Sequence, residues 1–303
     1  MDDPLAVGIR WGLYLTLSTT FGVPLFAVLS IAPSKRNALP LRAIVGIGAA
    51  LALGLSLLGG IAMTAAMADK PLVGVTREDL GAMLAMPGLG LSWLVRVAAL
   101  GVLVLGASIA RLRRLLPAMA IVIGGVALGS LAWVGHGAAG DGIAGPLHLA
   151  ADIVHLLAAG AWIGALVALS LLLWRAARNS AKIEVAHAAL ARFGQTGTVI
   201  VAAIIGSGLV NSWVLVGPGR VLDLPDTLWG QLLLGKLALF AAMLGLAGLN
   251  RWVLTPALGR DQTAIAPATI LHLRRSVLVE AGAATTVLAL VAWLGTLSPP
   301  TLD

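Results

Sequence analysis

The sequence predicts an all-α integral membrane protein, a bundle of about eight transmembrane helices that forms a single membrane domain over residues 1–303. Three observations predict this class. The mean hydropathy is +0.99, and 59% of the residues are hydrophobic. Only 11% of the residues are charged, whereas a soluble domain carries roughly 25%. The apolar segments run for about 20 residues or more without strict alternation, which favours helices over barrel strands.

Eight apolar segments separated by polar connections are predicted to cross the bilayer in turn. They cover residues 5–31, 41–67, 90–110, 116–136, 146–174, 194–216, 228–252 and 274–296. Between the second and third spans, Thr76 and Asp79 have the spacing of a capping box, which predicts a short helix from Asp79 to Met86. The polar stretch 177–193 is predicted to extend the fifth span as a helix.

Lysine and arginine alternate sharply between successive connections. Fourteen of the 20 lie in every second connection, whereas the opposite side carries only Lys70, Arg77 and Arg220. The positive-inside rule makes the basic connections cytoplasmic, so both termini of this multi-pass protein are predicted to lie outside, in the periplasm if the source is a Gram-negative bacterium. Nine acidic residues fall on the periplasmic side, where they raise the local concentration of cations. Because membrane topology accounts for the net charge of +7, we expect a lipid bilayer and no nucleic acid around this chain.

The absence of cysteine limits the chemistry that this chain can perform. It excludes disulfides, thiolate metal sites and iron–sulfur clusters. A site for a soft metal must then use methionine sulfur or imidazole. The sequence has no room for the soluble nucleotide-binding domain of a P-type ATPase, and we expect no enzymatic activity.

Histidines are concentrated around the connection between the fourth and fifth spans. Of five histidines in the chain, three lie here, namely His136, His148 and His155, and Asp152 lies between the last two. His148, Asp152 and His155 share one helical face, along which His155 lies about 10 Å deeper than His148. Imidazole is the commonest metal ligand, and ionisable groups within a membrane are functional by default. The spacing favours two linked metal sites, or ligands from a second helix; the alternative is interfacial histidines beside a structural Asp152–His155 pair.

Four methionines fall on the predicted periplasmic side. Met63 and Met67 are four residues apart near the end of the second span, and Met83 and Met86 follow in the next connection. Thioethers favour Cu(I), and imidazole suits both Cu(I) and Cu(II). These methionines are therefore candidate ligands of a soft metal ion, and the alternative is that they fill gaps between packed helices.

Several other polar residues lie within predicted spans, where each needs a partner or a function. Asn211 and Lys236 are candidate supports for the metal ligands, and Lys236 is placed to pair with Asp152. Nearer the cytoplasmic side, Glu280 is predicted to pair with Arg251; the alternative is that Glu280 is an exit ligand or a proton site.

The segment from His148 to Gly164, with Asp152, His155 and Trp162 at fixed spacing, is similar to the central motif of the copper resistance protein D (CopD) family. Shorter matching pieces follow in the same order: Arg192-Phe193, Ser207-Gly208 with Asn211, Trp229 to Lys236, Asn250-Arg251, Arg275 to Glu280, and Leu294 to Pro299. The resemblance is good over a core of about residues 90–300 and looser before it. The resemblance rests on the order and spacing of these pieces taken together.

This resemblance implies an eight-span inner-membrane protein of copper homeostasis and copper resistance. It implies transport of copper ions, Cu(I) or Cu(II), often beside a separate periplasmic copper-binding protein, CopC. The hypothesis is that His136 and His148 form an outer copper site and that Asp152 and His155 form a deeper one. Two alternatives remain: a membrane cytochrome that holds haem b through histidines, and a copper sensor or delivery factor that does not transport.

Overall fold

A computed structural model describes residues 3–134, 144–179, 182–260 and 266–298. These residues form ten α-helices and no strand. The helices are α1 Pro4–Ser30, α2 Leu41–Ala68, α3 Arg77–Ala85, α4 Leu89–Ser108, α5 Leu116–Gly129, α6 Ala144–Ala176, α7 Ile183–Leu215, α8 Leu228–Leu249, α9 Thr255–Arg260 and α10 Ala266–Leu294. A 3₁₀ turn, Ser130–Trp133, continues α5, and a π-helical segment, Asn250–Leu254, joins α8 to α9.

Eight of these helices are long and apolar enough to cross a membrane. They are α1, α2, α4, α5 with its 3₁₀ turn, α6, α7, α8 with its π-helical continuation, and α10. The absence of water from the bilayer core requires each backbone amide and carbonyl to be paired within its own segment, and helices satisfy this requirement. The predicted fold class and the eight spans are therefore confirmed.

Long-range hydrogen bonds define the two ends of the bundle. At one end the Arg42 Nε atom donates to the Ala107 carbonyl at 2.7 Å and joins the start of α2 to the end of α4. We call this the basic end, because the arginine-rich connections lie here. At the other end the Arg10 guanidinium donates to the Gly295 carbonyl and joins α1 to the end of α10. This is the acidic end, which holds the predicted periplasmic connections.

Helices α1 and α6 form the centre of the bundle. In the most apolar 18 residues of each span, 67% are buried in α6 and 56% in α1, against 11% in α7 and 17% in α8. One apolar cluster joins α1 to α2, α4 and α5, and a second joins α1 to α6, α7 and α10. Because α1 belongs to both clusters, it links the two halves of the chain.

The two central helices cross with their backbones in contact. A Cβ atom added to Gly22 of α1 would lie 2.1 Å from the Gly160 carbonyl oxygen of α6. A Cβ atom added to Gly164 would lie 2.2 Å from the Gly22 carbonyl carbon. Small residues four apart permit this close approach of membrane helices. The Gly160–Gly164 pair therefore packs within the chain.

The short helix α3 begins with the predicted capping box. The Thr76 hydroxyl accepts from the Asp79 amide at 3.3 Å, and the Asp79 carboxylate accepts from the Thr76 amide at 2.8 Å. Each side chain thereby satisfies a backbone donor that has no partner within the helix. The prediction of a short capped helix in this connection is confirmed, although the helix begins at Arg77.

The prediction for the polar stretch 177–193 is wrong. Helix α6 ends at Ala176, because the amides of Arg178 and Asn179 turn back to the Arg175 carbonyl in a tight closing turn. Helix α7 then begins at Ile183. Most of the polar stretch therefore opens the sixth span instead of extending the fifth.

Candidate metal centre

The predicted metal-binding face is the acidic-end part of α6. His148, Asp152 and His155 occupy positions i, i+4 and i+7 of this helix, so their side chains share one face. His148 is buried. His136, the other predicted outer ligand, lies outside the described residues. The structure therefore describes the deeper pair completely and the outer pair only through His148.

The imidazole of His155 is held by helix α7. Its Nδ1 atom lies 3.0 Å from the Ser207 hydroxyl oxygen. That hydroxyl donates its proton to the Ala203 carbonyl at 2.6 Å, so its oxygen is left to accept from Nδ1–H. This arrangement assigns the proton to Nδ1 and leaves the lone pair on Nε2, the form that binds a metal ion.

The carboxylate of Asp152 is also held by α7. The Asn211 amide nitrogen donates to an Asp152 carboxylate oxygen at 3.2 Å. The Asn211 amide oxygen is buried and has no hydrogen-bond partner. Because Ser207 and Asn211 are four residues apart, one face of α7 supports both candidate ligands of α6. We call Asp152, His155, Ser207 and Asn211 the α6–α7 cluster.

The predicted pair between Lys236 and Asp152 is not formed. Among the described residues, no ion pair within 4.0 Å joins them. The physical reason is the position of α8, which packs mainly against α10, whereas α7 packs closely against α6 and supplies Asn211 to the carboxylate. The Lys236 charge still acts on Asp152 and His155 from a longer distance.

The donors of the α6–α7 cluster suit a loosely held ion. Within the part of the chain that the structure describes, no three histidine, aspartate or glutamate side chains are placed to hold one metal ion. The pair offers one carboxylate and one imidazole nitrogen, both acceptable ligands for Cu(II), and the imidazole also suits Cu(I). With only these two protein ligands in reach, an ion bound here would be held loosely.

A cavity of about 320 Å³ lies at the acidic end between α1, α2, α3 and α4. Met63 and Met83 line it, and Met83 is only 1% exposed. The other two predicted methionines, Met67 and Met86, are exposed on the surface. We call this space the methionine cavity. The structure therefore places one methionine of each predicted pair in the methionine cavity and the other on the surface.

Two guanidinium groups, Arg10 and Arg96, also line the methionine cavity, together with a single carboxylate, Asp3. Arg96 is only 4% exposed and donates to the Ser130 hydroxyl at 3.3 Å. These charges disfavour a second cation in the same space. The lining includes neither Asp152 nor His155, so the thioethers and the α6–α7 cluster lie in separate places.

A third polar cluster lies in the basic-end half of the bundle, around Glu280 of α10. Its carboxylate accepts from the Trp162 indole at 2.9 Å and from the Asn250 amide at 3.4 Å. Arg251 donates to the Thr198 hydroxyl instead, so the predicted Glu280–Arg251 pair is wrong. The physical reason is the π-helical segment that begins at Asn250: its wider turn brings Asn250 toward α10 and leaves Arg251 facing α7.

Comparison with families of known proteins identifies copper resistance proteins. Residues 1–146 match the family model described as copper resistance protein D-like, N-terminal domain. Residues 187–294 match the family model described as copper resistance protein D. The candidate ligands of α6, His148, Asp152 and His155, lie between the two matched ranges.

Two curated relatives extend this likeness. The chain is 41% identical over 310 residues to copper resistance protein D of Pseudomonas syringae pv. tomato, across 99% of this chain and 98% of the relative. It is 32% identical over 170 residues to inner membrane protein YebZ of Escherichia coli K12, across 56% of this chain and 55% of the relative. No solved structure matches. The chain therefore belongs to the copper resistance protein D family of membrane proteins.

Proposed function

We propose that this protein binds copper ions at the acidic end of the bundle and moves them across the bacterial inner membrane. One observation carries the proposal. In a member of a copper resistance family, a carboxylate and an imidazole face together from α6, and α7 holds the imidazole with its Nε2 lone pair available. A membrane-embedded pair that is supported in this way has the chemistry of a metal site.

The proposed pathway begins in the periplasm, at the acidic end. Its carboxylates attract cations electrostatically. His136 and His148 form the outer site of the proposal, and Asp152 with His155 forms the deeper one. The methionines play a smaller part, because the two arginines of the methionine cavity oppose a cation there. A separate periplasmic protein similar to CopC delivers or receives the ion.

Copper uptake into vesicles tests this function directly. Purified protein is reconstituted into proteoliposomes, copper is added outside, and trapped copper is measured over time. We expect the wild-type protein to accumulate copper and the double variant His148→Ala/His155→Ala to lose most of this accumulation. His187→Ala is the matched control, since this histidine lies on α7 near the basic end.

The same preparation separates the proposal from its alternatives. Uptake that equals that of protein-free vesicles, together with tight copper binding, would identify a sensor or delivery factor. A Soret band in the visible absorption spectrum of the purified protein would identify a haem protein. Undiminished uptake by the double variant would remove the α6 histidines from the pathway.

A further inference from the structure

Glu280 is a buried acid in the membrane-spanning part of the bundle, without a cationic partner among the described residues. Its side chain is 3% exposed. Both of its hydrogen-bond donors, the Trp162 indole and the Asn250 amide, are neutral. No lysine or arginine in the described ranges lies within 4.0 Å of its carboxylate. A carboxylate at this depth needs a balancing positive charge or a proton.

The charges near Glu280 do not supply that balance. Glu280 lines a cavity of about 260 Å³ between α6, α7, α8 and α10, and among the charged residues only Arg251 shares the lining. The Arg251 guanidinium is engaged with Thr198. The other titratable groups on these helices and on α1 lie elsewhere. Toward the acidic end they are Arg10, Tyr14, His148, Asp152, His155 and Lys236, and toward the basic end they are Arg175, Lys182, Glu184, His187, Arg192, His272, Arg274 and Arg275.

The neighbouring amide of Asn250 indicates that a proton can be accommodated. In the present arrangement its amide nitrogen lies 3.4 Å from the carboxylate, a long hydrogen bond, and its amide oxygen is buried without a partner. If the carboxyl carries a proton, it can donate to the amide oxygen once the amide turns over. Protonation would thereby satisfy the oxygen that is otherwise unpaired.

The Glu280 cluster lies beside a π-helical segment, and one of its members shares helix α6 with a candidate metal ligand. Asn250 begins the π-helical segment, and its carbonyl accepts from the Thr255 hydroxyl at 2.7 Å. Single π-helical turns of this kind are frequent at functional sites. On the other side, Trp162 lies seven residues after His155 on α6, about 10 Å further along the helix. One helix therefore carries a candidate metal ligand and a hydrogen-bond donor to Glu280.

We propose that Glu280 is a proton-binding site and that proton exchange there accompanies the passage of copper. A proton from water on the basic side binds a Glu280 carboxylate oxygen and gives the neutral acid, which donates to the Asn250 amide oxygen. Release to the same side restores the carboxylate and the observed amide contact. The coupling to copper rests on the proposed function, whereas proton binding itself does not.

Infrared spectroscopy of the purified, lipid-reconstituted protein tests proton binding without any copper. A protonated carboxyl gives a C=O stretching band that disappears as the pH is raised. We expect the pH-difference spectrum of the wild-type protein to contain such a band from a buried carboxyl and Glu280→Gln to lose it. Glu184→Gln, which changes an exposed acid of α7, should keep it. Identical spectra for the wild-type protein and Glu280→Gln would overturn the proposal.

A second variant retains Glu280 and removes its partner. Asn250→Ala should shift the frequency of the Glu280 band, because the protonated carboxyl loses the acceptor that the amide oxygen provides. An unshifted band would overturn the proposed role of Asn250. If Glu280→Gln does not elute as a folded protein, Asn250→Ala still tests whether Glu280 binds a proton.

Copper uptake at different pH values on the basic side tests the coupling. We expect the pH of that side to change the wild-type uptake rate severalfold and to leave the rate of Glu280→Gln unchanged. Equal pH dependence in both proteins would overturn the coupling. If the wild-type protein moves no copper at all, the proposed function fails, and the infrared band alone still decides whether Glu280 binds a proton.

Discussion

The α6–α7 cluster and the methionine cavity both lie at the acidic end, and the sequence predicts copper ligands in both. Their surroundings differ in sign. Asp152 and His155 receive neutral hydrogen-bond donors and acceptors from α7. Met63 and Met83 share their cavity with two guanidinium groups. The first place contains a carboxylate of its own, and the Lys236 charge acts on it only from beyond 4.0 Å, whereas two guanidinium groups line the second.

This difference teaches that ligand type alone does not identify a metal site in this chain. A thioether or an imidazole binds copper only when the neighbouring groups leave its lone pair available and do not repel the ion. Ser207 meets the first condition for His155, because it fixes the proton on the other ring nitrogen. The methionine cavity does not meet the second condition, because the buried Arg96 repels a cation there.

Removal of the imidazole should have the largest effect. We expect His155→Ala to weaken copper binding by about 100-fold, since even the loss of a group that only supports a ligand costs 10- to 100-fold. Competition with a copper chelator of known affinity measures the change. His187→Ala should bind as the wild-type protein does. An unchanged affinity in His155→Ala would show that this imidazole does not bind copper, and the contrast with the methionine cavity would then fail.

Removal of the group that orients the imidazole should have a smaller effect. Ser207→Ala leaves the His155 Nδ1 atom without its acceptor, and we expect copper affinity to fall by about 10-fold. Ser108→Ala is the matched control, because Ser108 also donates to a carbonyl of its own helix but is exposed at the end of α4. Equal affinities for the two serine variants would contradict the tautomer assignment.

Exchange of the cavity methionines should have less effect still. We expect Met63→Leu/Met83→Leu to keep copper affinity within about twofold, since leucine conserves volume and the thioethers face two cations. The surface pair Met67→Leu/Met86→Leu provides the comparison. A loss of tenfold or more in the cavity variant alone would show that thioether donors outweigh the arginine charges.

Acid pH should loosen α3, the helix that borders the methionine cavity. Hydrogen bonds from Lys70 and from Thr76 lower the pKa of Asp79 from its ordinary 3.8 to about 2. A carboxyl with a lowered pKa stabilises the folded helix above pH 3.8, and this contribution disappears as the pH falls toward 2. Amide hydrogen exchange in α3 should therefore gain protection between these pH values as the pH rises, relative to Asp79→Asn.

Much of this architecture could be predicted from the sequence because it depends on local patterns. Hydropathy alone defines eight spans, and the spacing of Thr76 and Asp79 predicts the capping of α3. The helical repeat places Asp152 and His155 on one face. These features need no knowledge of which helix packs against which.

The missed features depend on contacts between distant segments. Ser207 matters only because α7 packs against α6, and its place in the family-like motif beside Asn211 was the available signal. The depth of Lys236 in its span makes it as suitable a partner for Asp152 as Asn211, and only the packing of α8 against α10 decides between them. For Glu280, one π-helical turn decides that Asn250 and not Arg251 is the partner, and hydrophobic periodicity does not reveal such a turn.

The crossing of Gly22 with Gly160 and Gly164 also limits where an ion can travel. The contact lies just past His155 along α6, between the α6–α7 cluster and the helix turn that follows Trp162. Since even a methyl group does not fit between these backbones, a copper ion does not fit there either. No ion can therefore pass between α1 and α6 at this crossing. In the proposed passage, an ion that leaves His155 would therefore follow a face of α6 that does not contact α1.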